Sequence, residues 1–173
     1  MKPLLIGNHI FLRDIQLSDA KFVYELRCNP ALNAYISPPP PSVEDQRAYI
    51  ERYKTLDNEY YFIICNKNAE LLGVVRIYDL LPDSFCWGSW IVKPDAPRGV
   101  GLESLLLIYD YAFYGLHFPQ SHFDVRKGNI RVLDLHKRLG AVVTGEDELN
   151  YYFCYTEKDY QKIRSRYLKM ILR

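Results

Sequence analysis

The spacing of hydrophobic positions divides the chain into strands and helices. Alternating apolar residues, many of them β-branched or aromatic, predict strands over residues 59–65, 71–78 and 85–92, joined by short turns into an antiparallel meander. The period then changes to 3.6 residues, which predicts a helix of about four turns over residues 102–116. Further strands are predicted at 8–14, 121–126, 141–144 and 151–155, and helices at 18–29, 42–54, 130–139 and at the end of the chain.

This order of elements predicts the fold class. Short strands in a meander, followed by one helix and one further strand, indicate an α+β fold whose mixed sheet has a single strand-helix-strand crossover at its centre. A length of 173 residues fits one domain over residues 1–173. Ser18 and Ser42 are the predicted N-caps of the first two helices, and Gly140 the C-cap of the helix over 130–139.

Composition narrows the classes of function. Lys and Arg total 22 and Asp and Glu 21, so a net charge of +1 disfavours nucleic-acid and anionic-membrane partners. No stretch approaches the ~18 apolar residues of a membrane span, and the apolar run at the N-terminus is too short for a signal peptide. A soluble, cytoplasmic protein is expected. Four cysteines without CxxC spacing predict reduced thiols and no metal site.

A glycine-containing connection leads from the meander into the central helix. Gly99 and Gly101 stand where the helix begins, and glycines let an anion approach the unpaired amides of a helix N-terminus. Arg98 adds a forked cation beside them. The pattern predicts a pyrophosphate site formed by the N–H groups of residues 99–104, which are Gly99, Val100, Gly101, Leu102, Glu103 and Ser104. A glycine-rich turn in which Ser104 only caps the helix is the alternative.

Two other nucleotide-binding motifs fit less well. A P-loop requires Gly-Lys-Ser or Gly-Lys-Thr, which this connection lacks. Gly99 and Gly101 match the first two glycines of a Rossmann fingerprint, Ser104 replaces the third, and Asp124 lies near the place of its ribose-binding acid. However, a proline-containing linker separates the strand from the first glycine. A nucleotide-binding domain therefore stays only as an alternative function.

The connection resembles the acetyl-CoA signature of the GNAT superfamily of acetyltransferases, Gln/Arg-x-x-Gly-x-Gly/Ala. Arg98 and Gly101 match two of its three fixed places, and Glu103 departs from the third. A second stretch is similar to the family's later helix, in which Asn129 opens the helix and His136 stands in the place of a tyrosine that faces the CoA sulfur. The opening residues 11–14 and 18–20 resemble the branch that modifies ribosomal-protein N-termini and small amines.

The resemblance implies a fold, a cosubstrate and a reaction. It implies a mostly antiparallel sheet of about seven strands with helices on both faces, acetyl-CoA as cosubstrate, and transfer of the acetyl group to a primary amine. A backbone N–H near Ile91 or Val92 would polarise the acetyl carbonyl, and Asn129 would either contact CoA or only cap its helix.

Four side chains are candidates for proton transfer. By helical spacing His136 points inward, and a histidine pKa of about 6.5 would let it act as the acid near neutral pH. Strand alternation places His122, Asp124 and Arg126 on one face, so Asp124 or His122 is a candidate base, with Glu103 a third choice. Alternatively, His136 is a core residue and the strand face is only solvated. The same alternation places Trp87 and Trp90 on opposite faces of their strand.

The acceptor is less constrained than the cosubstrate. Four consecutive prolines, Pro38 to Pro41, form a stiff bridge in the region that borders the acceptor in the family, which favours a small-molecule amine such as an amino sugar or nucleotide-linked amino sugar. A protein N-terminus is the alternative acceptor, and a CoA-binding regulatory module without catalysis is the alternative function. The sequence is compatible with a homodimer and does not determine the oligomeric state.

Overall fold

Eight strands and five α-helices make up the computed structural model, which describes residues 2–172. The strands are β1 (Leu5–Ile6), β2 (Ile10–Asp14), β3 (Tyr60–Asn66), β4 (Leu71–Tyr78), β5 (Ser84–Val92), β6 (Gln120–Arg126), β7 (Val142–Glu146) and β8 (Asn150–Thr156). The helices are α1 (Ala20–Cys28), α2 (Val43–Lys54), α3 (Val100–Asp110), α4 (Ile130–Leu139) and α5 (Glu157–Ile171). The α+β order predicted from the sequence is confirmed.

The strands form one sheet in the order β1-β2-β3-β4-β5-β6-β8-β7. Every neighbouring pair is antiparallel except β5 and β6, which run parallel because α3 crosses between them. The predicted central crossover is therefore confirmed. The sequence pattern predicts seven of the eight strands and misses β1, because a strand of two residues carries no periodicity.

Helices cover both faces of the sheet and create two hydrophobic cores. One core joins α3, α4 and α5 to the sheet through residues such as Leu105, Phe113 and Phe153. The other joins α1 and α2 to the opposite face of β3 and β4, with Val23 and Ile50 fully buried. Among the helices within residues 2–172, none covers the outer face of β6, where His122 is half-buried and Asp124 and Arg126 are exposed. That uncovered surface belongs to the candidate site.

The helix starts differ in part from the predictions. Ser42 caps α2, since its Oγ accepts the Asp45 amide N–H at 3.1 Å. The N-cap prediction for Ser18 is wrong: it lies inside a 3-10 turn that precedes α1. Asp19 closes this turn instead, because its carboxylate accepts the Gln16 amide at 2.7 Å while the Arg13 guanidinium holds it in place at 2.8 Å.

The central helix begins two residues earlier than predicted, at Val100, and its last turn, Tyr111–Gly115, widens into a π-helix. Gly140 ends α4 in the left-handed region with φ 96°, as predicted for a C-cap.

All four cysteines are free thiols. None of the helices within residues 2–172 is both long and apolar enough to cross a lipid bilayer.

Candidate functional site

The sheet opens where its two parallel strands meet. β5 and β6 pair only at their first residues, Ser84 opposite Gln120 and Phe85 opposite Ser121, and then diverge. The rest of β5 faces an open gap that holds a cavity of about 330 Å³. Its walls come from β4, β5, β6, α4 and the connection between α1 and α2; they include Tyr35, Ser37, Tyr78, Cys86, Gly88, Trp90, Asp124, Arg126, Asn129 and His136.

A β-bulge shapes the β5 wall of this gap. Arg76 lies opposite Gly88 and Val74 opposite Ile91, so β5 carries one extra residue between these pairs. Ser89 lies in the bulge with φ 47°, in the left-handed region that non-glycine residues rarely adopt. The extra residue interrupts the alternation of side chains along β5. Each residue beyond the bulge therefore lies on the opposite face of the sheet from the one that simple alternation predicts.

The two tryptophans show this change directly. Trp87 and Trp90 were predicted on opposite faces of their strand, and this prediction is wrong because the bulge lies between them. Their rings lie on the same face with centroids 5.6 Å apart. Trp87 donates its indole N–H to the Tyr109 hydroxyl at 3.0 Å, and Trp90 donates to the Ser104 Oγ at 3.1 Å. Together the indoles form the floor of the gap on the α3 side.

Strand register distinguishes the two amides predicted to polarise a carbonyl. Lys93 donates its backbone N–H to the Leu72 carbonyl at 2.8 Å, and Val92 lies opposite Gly73. Because hydrogen-bonded and non-hydrogen-bonded pairs alternate along an antiparallel ladder, the N–H of Ile91 is directed to Val74. The N–H of Val92 points away from β4, into the gap.

The start of α3 presents unpaired amides beside the gap. Gly99 is the N-cap with φ 95°, a conformation that favours glycine, and the first turn leaves the N–H groups of Gly99, Gly101 and Leu102 without helical partners. The Val100 amide donates to the Pro97 carbonyl at a long 3.3 Å. These amides and the positive end of the helix dipole can bind a diphosphate. Arg98 beside them is exposed.

The predicted amide set is wider than the one the structure offers. The Glu103 amide donates to the Gly99 carbonyl at 2.9 Å, and helix geometry directs the Ser104 amide to Val100. Glu103 is 4% exposed. Its carboxylate is directed to the β1-β2 turn, where Oε1 accepts the His9 amide N–H at 2.9 Å. It therefore fixes the β1-β2 turn, and both of its carboxylate oxygens contact His9.

His136 lies at the closed end of the gap. Its imidazole is 3% exposed and packs against the rings of Phe123 and Trp87, with centroid distances of 4.3 and 5.7 Å. Burial lowers the pKa of His136 to about 4, so the expectation that it titrates near neutral pH is wrong. Its Nδ1 is buried without a hydrogen-bond partner among residues 2–172. A neutral imidazole with an unpaired nitrogen is thus built into the cavity wall.

Asn129 begins the helix that carries His136. It stands at the N-cap of α4, but its side chain makes no capping hydrogen bond and the residue lines the cavity. Capping was one of two predicted roles for Asn129, and the structure does not support it. The amide side chain is available to a ligand in the gap.

The two candidate bases on β6 have different surroundings. His122 is held by Ser84, with Nδ1 2.8 Å from Oγ, and by Asp79, with Nε2 3.0 Å from Oδ2, and it does not line the cavity. Asp124 and Arg126 do line it, on the face opposite α3 and α4. Asp124 is thus the candidate base that can reach a substrate in the cavity.

Sequence reasoning missed the tyrosine that faces Asp124 across the gap. Tyr78 ends β4 beside Cys86, and a Cβ built on Gly88 would lie 2.8 Å from the Tyr78 hydroxyl. Burial raises the pKa of the Tyr78 phenol well above its usual range, so it is a neutral hydrogen-bond donor. The available signal was Gly88 itself, since a glycine inside an aromatic strand marks a close approach.

The connection between α1 and α2 closes the cavity from the sheet's outer face. Tyr35, Ile36 and Ser37 line the cavity, and the buried Arg27 guanidinium donates to the Ser37 carbonyl at 3.0 Å and to its Oγ at 2.9 Å. Tyr35 reaches the β6-α4 turn, where its ring lies 3.1 Å from the position of a Cβ on Gly128. We call these three residues of the connection, Tyr35, Ile36 and Ser37, the roof.

Comparisons with known proteins give a family match and, over nearly the whole chain, a structural match. A family model described as "Acetyltransferase (GNAT) domain" matches residues 9–142. A solved structure described as "Apo FdhC- a nucleotide-linked sugar GNAT" is similar over 96% of this chain and 97% of that chain, with 38% sequence identity and a TM-score of 0.88. A search of curated protein sequences finds no significant match.

More distant structures share the fold alone. A GNAT-family acetyltransferase from Bacillus anthracis is 15% identical, covers 90% of this chain and 99% of its own, and has a TM-score of 0.77. A variant of the spermidine N-acetyltransferase SpeG from Vibrio cholerae is 17% identical, with 92% and 99% covered and a TM-score of 0.75.

Proposed function

This chain belongs to the GNAT acetyltransferase family, and from that premise we propose that it transfers the acetyl group of acetyl-CoA to the amine of a small molecule, an amino sugar linked to a nucleotide. The observation that carries the proposal is the gap between β5 and β6, which opens on two sides of the sheet. Amides at the start of α3 and His136 lie on one side, and Asp124, Tyr78 and the roof lie on the other. A donor and an acceptor can therefore meet inside the gap.

The residues on the α3 side fit acetyl-CoA. The amides of Gly99, Gly101 and Leu102 would bind its diphosphate, with Arg98 adding charge, and Asn129 would contact the pantetheine arm. The cosubstrate supplies an activated acyl group as a thioester. The Val92 N–H points into the gap and would polarise the thioester carbonyl, which becomes more negative as the amine attacks.

The acceptor amine must lose a proton before it attacks. Asp124 attracts the ammonium on the open face of β6 and takes this proton directly or through water. The amine nitrogen then forms a bond to the acetyl carbon while the carbon–sulfur bond breaks. The second proton that nitrogen releases goes to the departing thiolate, so the products are an amide and the free thiol of CoA.

His136 contributes as a hydrogen-bond donor to sulfur. With a pKa of about 4 it carries no spare proton at neutral pH, so its role is to stabilise the developing thiolate through a ring N–H. A thiolate beside the ring would in turn favour the imidazolium and allow a proton to pass. Replacing His136 with alanine should therefore lower kcat more than about tenfold and leave the KM for acetyl-CoA within about twofold. Unchanged turnover would remove His136 from the mechanism.

Three observations support a small-molecule acceptor. The roof, fixed by the Arg27 contacts to Ser37, closes the outer face into a defined cavity, whereas a peptide substrate needs an open groove. The structure that is 38% identical over nearly the whole chain is described as a nucleotide-linked sugar GNAT. Asp124 and the neutral Tyr78 phenol suit an amine with a neighbouring hydroxyl, the arrangement of an amino sugar.

Release of the CoA thiol against a panel of acceptors tests the proposal. The panel contains nucleotide-linked amino sugars, free amino sugars, spermidine and short peptides with free N-termini, each with acetyl-CoA. Asp124→Asn should lower kcat/KM for the best acceptor at least tenfold, and Asp134→Asn, on α4 outside the cavity lining, is the matched control. A preference for peptides would refute the nucleotide-linked amino sugar as the acceptor. If no amine led to release of the CoA thiol, the acetyltransferase activity itself would be refuted.

A further inference from the structure

The size of the cavity limits how much of a nucleotide-linked acceptor it can hold. Its volume of about 330 Å³ is at the lower end of the ~300–1,000 Å³ of small-molecule sites. Part of this space must receive the acetyl end of the cosubstrate, so what remains fits a group the size of a sugar. The diphosphate and the base of the acceptor must then lie outside, against whatever borders the mouth.

Arg126 places a positive charge at this mouth. It lines the cavity, is exposed, and makes no ion pair with residues 2–172. The cation that follows it, Lys127, is paired with Glu146 at 2.6 Å and is therefore not free for a ligand. A guanidinium binds phosphate oxygens with two parallel hydrogen bonds, which an ammonium cannot do.

A flat aromatic surface borders the same mouth. Tyr35 remains 48% exposed although its ring edge rests on Gly128, two residues after Arg126. Exposed aromatic rings of this kind stack on nucleobases without regard to base identity. The roof thus brings a stacking surface close to an unpaired guanidinium.

We propose that Arg126 and Tyr35 form a nucleoside diphosphate subsite for the acceptor, in which Arg126 binds the diphosphate and Tyr35 stacks on the base. The inference rests on the proposed function and extends it to the part of the acceptor that does not react. The subsite is separate from the diphosphate site of CoA, because β6 alternation places Arg126 on the face opposite the side chains of Phe123 and Val125, which pack toward α4.

Binding of UDP and of dTDP alone, measured by isothermal titration calorimetry, tests the subsite without any reaction. Arg126→Ala should weaken binding of the nucleoside diphosphate about 10- to 100-fold, and Arg126→Lys should recover only part of it. The affinity for CoA should stay within about twofold. Equal affinity of wild type and Arg126→Ala for both nucleotides would overturn the proposal, as would a loss of CoA affinity in place of nucleotide affinity.

The aromatic part has its own matched pair of variants. Tyr35→Phe keeps the ring and should bind UDP as the wild type does, whereas Tyr35→Ala should lose about 5- to 100-fold. An equal loss in both variants, or none in either, would overturn the stacking role.

Kinetics then separate this inference from the proposed function. Arg126→Ala should raise the KM for a nucleotide-linked amino sugar at least tenfold and leave kcat/KM for the free amino sugar unchanged. If wild type and Arg126→Ala use both acceptors equally well, the subsite is refuted and the acetyltransferase assignment stands. If the wild type releases no thiol with any amine, the function itself is refuted.

Discussion

The neutral imidazole of His136 should make folding stability depend on pH in a predictable way. In the unfolded chain a histidine has a pKa of about 6.5, and in the folded protein burial lowers the pKa of His136 to about 4. Above pH 6.5 both states are neutral at this residue, and below it the unfolded state alone binds a proton. Stability is therefore lost as the pH falls from 6.5 toward 4.

The size of this loss follows from the two pKa values. Between pH 7 and pH 5 the unfolded state gains about 2 kcal/mol from protonation of this one residue, at about 1.4 kcal/mol per pKa unit. His136→Leu removes the proton-binding group and the unpaired buried Nδ1, which itself costs about 1–3 kcal/mol. The variant should be at least as stable as the wild type at pH 7 and should lose about 2 kcal/mol less at pH 5.

Urea unfolding at the two pH values measures the difference, because the other titrating groups are common to both proteins. His117→Asn is the matched control, since His117 is exposed and its left-handed φ of 62° suits asparagine. The control should keep the pH dependence of the wild type. Parallel curves for the wild type and His136→Leu would show that His136 is not the neutral, buried group described above.

Three further predictions concern Gly88, Glu103 and the glycines at the ends of two helices. Gly88→Ala should raise the KM for the acceptor, because its Cβ would lie 2.8 Å from the Tyr78 hydroxyl, and Tyr78→Phe should relieve the effect with a coupling of about 0.5–3 kcal/mol in a double-mutant cycle. Equal effects in both backgrounds would contradict this contact. Glu103→Ala should destabilise the fold by about 1–3 kcal/mol, measured by urea unfolding, and should leave the affinity for CoA within about twofold. A large loss of CoA affinity at unchanged stability would instead place the Glu103 carboxylate at the start of α3. Gly99→Ala and Gly140→Ala each place a side chain at φ near 95° and should each lower the free energy of unfolding by about 1–2 kcal/mol. Only Gly99→Ala should weaken CoA binding. Similar CoA affinities of the two variants would argue against diphosphate binding by the amides of α3.

Most of the fold could be predicted because its elements carry strong local signals. The 3.6-residue stripe of α3, the meander strands and Gly140 are each encoded within a few neighbouring residues. The failures have physical causes of longer range. Ser18 is not an N-cap because it lies in the 3-10 turn before α1, and Arg13, on β2, orients the Asp19 carboxylate that closes this turn.

The site was less predictable because its geometry depends on register. The bulge at Ser89 moves Trp90 to the face of Trp87, and nothing in the alternation of β5 reveals the extra residue. The amide of Val92 could be separated from that of Ile91 only after the pairing with β4 was known. Likewise, helical spacing showed that His136 points inward, but only the aromatic rings around it set its pKa.

The buried Glu103 is the clearest case of a residue whose role changed. At the sequence level its carboxylate is a departure from the acetyl-CoA signature, in a position where a charge would repel phosphate. In the structure it accepts hydrogen bonds from the β1-β2 turn, from the amide of His9 at 2.9 Å and from its ring Nδ1 at 3.2 Å. A partner 94 residues away in sequence could not be inferred from the motif.

A crystal structure with CoA bound tests the central claim most directly, namely that the first turn of α3 binds the diphosphate while the thiol end enters the gap between β5 and β6. The diphosphate oxygens should lie within about 3.2 Å of the amide nitrogens of Gly99, Gly101 and Leu102, with the sulfur beside His136. A diphosphate bound at Arg126 on the opposite face of the sheet, with the α3 amides left to solvent, would contradict the account.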